Sequence, residues 1–365
     1  MAVNLSSPEK YRDLKPPTST IGVIGWIRAN LCNTWFNSLI SLTVIYLLWQ
    51  VLPPFINWAL IKSCWTSTSA ECHKSGGACW SIIHANIRFI IFGFYPPPEQ
   101  WRPLSAMLIL FALLIISRNR NWWSKNLLFA WFVGMVLMGI LLSGGIFGLK
   151  AVESDQWGGL PLTLMLSVFG LAAAYPLGVV LALGRQSRLP VIKSLTVIYI
   201  EMIRGVPLIS MLFMSAIIFP LFLPEGITIN KILRAQVAII LFTAAYVAEV
   251  VRGGLQAMPQ GQYEAADSLG LNYSQTMRLI ILPQALKIVI PPTVSILISA
   301  FKDTSLVVII ALYDLLKTTQ STLSNPQWMG FSTEAYLFVA LIYFLCCYFM
   351  STWSRRLEED LDTSR

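Results

Sequence analysis

The chain has 365 residues, of which 56% are hydrophobic and only 12% charged, with a mean hydropathy of +0.65. Soluble domains carry about a quarter charged residues, so these values exclude an ordinary water-soluble globule. The formal net charge of +8 is then a matter of membrane topology, and nothing in its distribution points to nucleic acid.

A bilayer core takes roughly 20 apolar residues of helix. Residues 1–28 are polar and lack an apolar core, so no cleavable signal peptide is expected and the first span serves as the insertion signal. In chain order, eight spans are predicted at 35–58, 103–117, 127–143, 160–183, 206–223, 235–251, 285–300 and 335–353. The segment 82–94 is apolar but carries Arg88 and runs into Pro96-Pro97-Pro98, which makes it an interfacial segment and not a ninth span. Basic residues set the orientation. With the N-terminus inside, the cytoplasmic segments hold Lys10, Arg12, Lys15, Arg28, Arg118, Arg120, Lys125, Arg185, Arg188, Lys193, Arg252, Arg278, Arg355, Arg356 and Arg365. The outer segments hold the smaller set of Lys62, Lys74, Arg88, Arg102, Lys150, Lys231, Arg234 and Lys317. Both termini are therefore expected in the cytoplasm.

Cys64, Cys72 and Cys79 fall in the first outer loop, where an oxidising compartment permits one disulfide among the three. Cys346 and Cys347 sit inside the last span as packing residues. The texture changes near Gln156-Trp157-Gly158-Gly159. Residues 1–158 read as an N-terminal extension with three spans and a long outer loop, 159–353 as a five-span functional core dense in Gly, Pro and isolated charges, and 354–365 as a cytoplasmic tail.

The longest cytoplasmic loop, 252–283, carries the most specific pattern. Pro259 ends the preceding helix, because proline lacks a donor and clashes with the turn before it. Residues 262–269 read as a short helix, with Gly270 placed to close it in the left-handed conformation. Asn272 with Gln275 three residues on has capping-box spacing and restarts a helix that returns to the membrane. The loop reads Glu264-Ala265-Ala266, three residues, Gly270, nine residues, Ile280, one residue, Leu282-Pro283.

At every fixed position this resembles the EAA signature of permease subunits of ABC importers. The resemblance makes the short helix the coupling helix that docks on a cytoplasmic ATPase, with Glu264, Ala265, Ala266, Gly270 and Leu271 at the contact. Two other stretches, Tyr199-Ile200-Glu201-Met202-Ile203-Arg204-Gly205-Val206-Pro207-Leu208 and Ala245-Tyr246-Val247-Ala248-Glu249-Val250-Val251-Arg252-Gly253-Gly254, are similar to the polar amino acid permease family. So is Phe301-Lys302-Asp303-Thr304-Ser305-Leu306. With its three-span extension the chain most resembles the larger permease subunit of general L-amino acid importers. That resemblance implies an all-α integral membrane protein with the type I importer fold, a five-helix core plus three N-terminal transmembrane helices. It implies partners as well: ABC ATPase subunits, a second and homologous permease, a periplasmic amino-acid-binding protein, an amino acid substrate and membrane lipid. No cofactor or metal is expected on this chain, ATP and Mg being bound by the partner ATPase. Leu142-Ser143-Gly144-Gly145 spells most of the ABC ATPase signature, yet it lies at the outer end of a span and no Gly-x4-Gly-Lys-Ser/Thr phosphate loop occurs, so the chain is no enzyme.

Ionisable residues at mid-membrane cost roughly 2.5–3.5 kcal/mol each on insertion scales and need a reason. Lys302 and Asp303 are read in two ways, as an ion pair at a helix break or as part of a cavity wall. In the second reading Ser299, Lys302, Asp303, Thr304 and Ser305 form a substrate pathway, with Ser299 and Asp303 four apart on one helical face. Glu201 with Arg204, and Glu249 with Arg252, are each three apart and are expected as structural charge pairs. Pro176, Pro207, Pro291 and Pro292 are expected to kink their helices. Two rival functions are weaker. An ion-driven secondary transporter leaves the cytoplasmic signature unexplained. A membrane enzyme would gather histidines or carboxylates for metal or acid–base work, whereas the chain has only His73 and His84.

Overall fold

Helix is almost the sole regular structure, as it must be where no water satisfies exposed backbone groups. The computed structural model describes residues 22–119 and 122–361, and among them the only strand is Tyr313–Asp314. Lys10, Arg12, Lys15, Arg120 and Arg365 of the topology argument lie outside the described residues. The chain divides into two compact units, Met1–Trp80 and Ser81–Arg365. The compositional boundary near Gly158 does not coincide with this division.

In the first unit, α1 (Gly22–Asn30) precedes α2 (Trp35–Ile56). Thr34 caps α2 by accepting from the Asn37 amide at 3.2 Å. The span continues through a π-turn, Asn57–Ile61. No residue of α2 is buried, which is how a helix apolar on every side sits in lipid. The outer loop forms α3 (Ser69–Ser75), opened by a capping box of Thr68 and Glu71. Of the three cysteines considered for a bridge, Cys72 and Cys79 are bonded, with Cα atoms 5.5 Å apart. The Cys64 backbone runs parallel beside Cys79, its amide donating to the Ala78 carbonyl at 2.8 Å.

In the second unit, α4 (Ser81–Phe92) is too short to cross a bilayer, as expected, but Ile82, Ile83 and Ile90 are buried against protein. It packs on α7 and α15, defined below, and the Thr318 hydroxyl donates to the Ile90 carbonyl at 2.9 Å. The spans α5 (Trp101–Ser117) and α6 (Lys125–Ser143) follow. Arg102, counted above as an outer topology charge, is fully buried. It donates to the carbonyls of Leu141 at 2.7 Å and Lys150 at 2.9 Å and stacks over the Tyr95 ring. A buried guanidinium thereby satisfies a carbonyl that the end of α6 leaves without an intrahelical partner.

The remaining core begins with α7 (Gly159–Arg185), which runs through Pro176 as one continuous helix. Next come α8 (Pro190–Gly205) and α9 (Leu208–Phe213), the latter prolonged by a π-turn, Met214–Ile218, and a 3-10 turn, Phe219–Phe222. The two arms meet at 103°. Pro207 explains the bend: it forces Val206 into extended backbone (φ −106°, ψ 135°) and ends the helix there. The predicted span 206–223 is thus the second arm of a bent pair, and among the described residues counting that pair as one brings seven candidate spans to eight.

After the bend come α10 (Lys231–Gln256), α11 (Gln260–Ser268) and the single turn α12 (Tyr273–Gln275). A π-turn, Thr276–Ile281, leads into α13 (Leu282–Ile288) and then α14 (Ile290–Asp303). The expected span 285–300 is therefore divided. Pro291 and Pro292 occupy the first turn of α14, where a missing amide costs nothing, and they begin a helix instead of kinking one. A 3-10 stretch, Thr304–Ile310, completes that crossing, so the span is Ile290–Ile310. Finally α15 (Leu315–Leu323) precedes α16 (Ser332–Leu361).

The most extensive helix pair is α7 with α10. Gly170, Ala174, Gly178 and Ala182 recur every four residues along α7 and all are buried. A Cβ at Gly178 would lie 2.5 Å from a Val247 methyl and 3.0 Å from the Ala244 carbonyl. In lipid, where helices gain little from hydrophobic contrast, close backbone approach through small residues drives association. Cys346 and Cys347 pack with Tyr343 against an apolar cluster that includes Met107, Leu164 and Phe301, as expected of packing residues. Asp314 is fully buried and caps α15, accepting from the amides of Leu316 at 3.2 Å and Lys317 at 3.0 Å. Its burial pushes the carboxyl up to about 6 despite those bonds.

Candidate functional site

Three arrangements in the second unit bear on function. The first is the short helix α11. Its C-terminus is closed by Gly270 at φ +69°, a conformation that costs a residue with a Cβ roughly 1–2 kcal/mol. The Gly270 amide donates to Asp267 at 2.9 Å and the Leu271 amide to Ala266 at 3.2 Å, the paired bonds of a Schellman close. The reciprocal capping box follows, Asn272 and Gln275 each accepting from the other's amide at 3.0 Å. Both local devices expected from the sequence are present.

Of the five residues assigned to the contact, Glu264, Ala265 and Gly270 are exposed and Leu271 is half-buried. Ala266 is fully buried, so it seats α11 on its own chain. Gln262 anchors the same side, its side-chain oxygen accepting from Gln284 of α13 at 3.0 Å. The face left outward adds Asp267, Ser268 and Leu269, the last 74% exposed. Beside it opens a cavity of about 760 Å³ between the α7–α8 turn, with Arg188 and Leu189, and Tyr263, Asp267 and Tyr273. Sequence reasoning missed this hollow, because nothing local ties the α7–α8 turn to α11.

The second arrangement is an ion-pair cluster joining α7, α8 and α10. Glu249 accepts from Arg252 Nε at 3.0 Å, the i, i+3 pair expected. Glu201 and Arg204 do not pair with each other. Glu201 meets Arg185 at 2.8 Å, and Arg204 reaches Glu249 at 3.7 Å while stacking over Tyr246 at 5.6 Å. Arg185 also approaches Glu249 at 3.3 Å. Glu249 is thus the hub for three guanidinium groups. Spacing within α8 could not reveal this, since two of the partners come from other helices.

The third is a cavity of about 370 Å³ between α9, α10 and α14. Ser295, Ser299 and Asp303 line it as one stripe at four-residue spacing, with Thr243 and Tyr246 of α10 opposite and Thr304 at the end. Of the predicted pathway residues, Ser299, Asp303 and Thr304 are therefore brought together. Lys302 is exposed and Ser305 half-buried, and neither lines the cavity. The cause is helical phase: at about 100° per residue Lys302 lies roughly 100° and Ser305 roughly 200° round from Asp303, both off the stripe. Tyr246 touches both this cavity and the ion-pair cluster through Arg204, so the two sites adjoin. Ser295 and the α10 residues were missed, although Ser295-x3-Ser299-x3-Asp303 is visible in the sequence.

A multi-pass helical bundle with a polar-striped cavity and an exposed, rigidly capped helix between two spans defines a membrane transport subunit. Residues 174–363 match the binding-protein-dependent transport system inner membrane component family. The chain belongs to this family, and it is a permease subunit of an ABC importer, multi-pass in the inner membrane, with ATP hydrolysis carried by a partner subunit. Family membership also brings a substrate-binding protein as partner.

Similar proteins include the inner membrane amino-acid ABC transporter permease protein YhdY of Escherichia coli (strain K12). It is 48% identical over 349 residues, covering 93% of each chain. The glutamate/glutamine/aspartate/asparagine transport system permease protein BztC of Rhodobacter capsulatus is 37% identical over 417 aligned positions, covering 94% of this chain and 95% of that protein. A crystal structure of an amino acid ABC transporter with histidines aligns at 32% identity and a TM-score of 0.50, covering 55% of this chain and 92% of that one.

Proposed function

We propose that the chain forms half of the translocation pathway of an ATP-driven amino acid importer, with α11 as the element through which the partner ATPase moves it. The observation that carries this reading is α11 itself, a helix fixed at its C-terminal end, seated by Ala266 and Gln262, and outward at Gln260, Gly261, Glu264, Ala265, Asp267, Ser268 and the following Leu269. A rigid element transmits displacement from a motor; a floppy loop would absorb it. The importer relatives of similar length support amino acids as the cargo. In this reading a second, homologous permease completes the pathway, a periplasmic amino-acid-binding protein delivers substrate, and both termini lie in the cytoplasm. ATP and Mg stay on the ATPase, and this chain needs no cofactor.

The cavity beside α14 is the substrate passage. Asp303 offers a carboxylate to an ammonium group, while Ser295, Ser299 and Thr243 offer hydroxyls along the same wall. Coupling is tested by reversing the outward charge. Glu264→Lys in the assembled complex should abolish ATP-dependent uptake of labelled amino acids or lose the ATPase on affinity purification; normal uptake with full ATPase retention refutes the coupling role. Asp303→Asn should reduce uptake at least tenfold with the complex intact, and unchanged uptake removes Asp303 from the passage.

A further inference from the structure

A second cavity, on the other side of α10, is not part of the transport site. It holds about 450 Å³ between α10 and the bent arm Leu208–Phe222, and its walls are apolar except for Ser215 and Arg234. At 100° per residue, Arg234, Val237 and Leu241 of this groove fall on the opposing face of α10 from Ile239, Phe242, Thr243 and Tyr246 of the substrate cavity. If the substrate cavity looks toward the pathway, the groove looks toward the bilayer, and in this respect the inference rests on the proposed function. Its rim stays uncovered, with Phe222 80%, Leu233 55% and Val237 46% exposed.

The groove is apolar inside and basic at one end. Lys231 and Arg234 share a face of the first turn of α10, where the helix enters the membrane, and the preceding connection carries one carboxylate, Glu225. Arg234 donates through Nη1 to the Ala216 carbonyl, inside the π-turn. Its Nε is buried without a hydrogen-bond partner, a state that calls for an explanation in a native protein. From Arg234 to Leu241 the helix descends about 10 Å. A basic group at the interface over an apolar slot of that depth matches a phosphate joined to an acyl chain.

We infer that this groove binds an anionic phospholipid of the outer leaflet, its phosphate on Arg234 and Lys231 and one acyl chain between Phe219, Phe222, Leu233 and Val237. The occupant would hold the bent arm against α10 on the side away from the passage.

The test uses the assembled complex purified in mild detergent, with phosphatidylglycerol or phosphatidylcholine added and bound lipid counted by native mass spectrometry. Phosphatidylglycerol should be retained roughly tenfold better than phosphatidylcholine, because both offer the phosphate but the choline cation of the second is repelled by Arg234 and Lys231. Arg234→Gln should erase that preference. As this change also removes the bond to Ala216, Val237→Phe gives an independent arm: it fills the exposed slot, leaves Arg234 in place, and should lower retention of both lipids. Equal retention of the two lipids by the unaltered complex overturns the inference. So does undiminished retention by Val237→Phe, or efficient cross-linking of Val237→Cys to the second permease, which would make the groove a protein interface. Uptake by the same preparations separates these outcomes from a failure of the importer reading itself.

Discussion

The turn around α11 and the α7–α10 seam hold their shapes by opposite means. The bonds that close the end of α11 span five residues or fewer, Leu271 to Ala266, Gly270 to Asp267, and Asn272 with Gln275, and the longer bond from Gln284 to Gln262 seats its other side. Along the seam the contacts span dozens: Gly178 against Val247, Arg185 against Glu249, the Gln236 side-chain amide donating to the Leu166 carbonyl. The exposed element closes its own end by local bonds, whereas the elements that enclose a cavity obtain their rigidity from one another. Changes in the seam should therefore damage the whole subunit, and changes in α11 should damage its coupling.

The largest expected effect breaks the seam. Gly178→Val places atoms inside the radius of Val247 and the Ala244 backbone, and overpacking of this kind costs about 3 kcal/mol. The complex should be lost from gel filtration, and an intact, active complex would refute close packing there. Next is Asp314, whose folded carboxyl titrates near 6, above its ordinary range of about 4. The folded state holds that proton more tightly, so this term stabilises most below pH 4 and fades as pH rises through 6. A shift of this size corresponds to about 3 kcal/mol. Asp314→Asn keeps a capping oxygen and should flatten the decline in Tm between pH 4 and 7.5 relative to the unaltered chain; parallel profiles contradict a buried carboxylate.

Removing the hub charge comes third. Glu249→Gln leaves Arg185, Arg204 and Arg252 facing one another, at about 1.5–3 kcal/mol. A lower Tm whose deficit shrinks in high salt is expected, and a salt-independent deficit argues against the charge cluster. The smallest effects belong to α11. Gly270→Val should strain the turn by about 1–2 kcal/mol, and Asn272→Ala should remove a cap worth about 1 kcal/mol. Both should lower uptake per ATP hydrolysed while the complex keeps its Tm within a few degrees. A collapse of Tm by either one would erase the contrast between the two regions.

The extent to which each region was legible follows the same division. The helix 262–269, its glycine close and its capping box could be read from order alone, because each is decided by residues within one or two turns. Membrane helices were legible for a related reason: a bilayer demands a run of apolar residues irrespective of neighbours. The small-residue ladder Gly170–Ala174–Gly178–Ala182 was legible and passed over, masked by the general apolarity of its span. The partners of Glu201 and Arg204 were not legible, since a side chain at the end of a helix chooses among all helices that reach it. That Lys302 and Ser305 fall off the Ser299–Asp303 stripe was legible and passed over, since one residue back and two residues on lie about 100° and 200° round a helix.

By itself, then, the order of residues determined an all-helical membrane subunit, the apolar spans found among the described residues once the bent pair counts as one, and the short capped helix with its exposed face. Only the tertiary structure decided that Arg102 is buried, that Cys72 joins Cys79, that Glu249 gathers three arginines, and that α10 separates a polar cavity from an apolar groove. The physical reason is range. Backbone hydrogen bonding and transfer into lipid act over a few residues and are written locally, whereas packing and charge pairing in a bundle are settled among helices far apart in the chain.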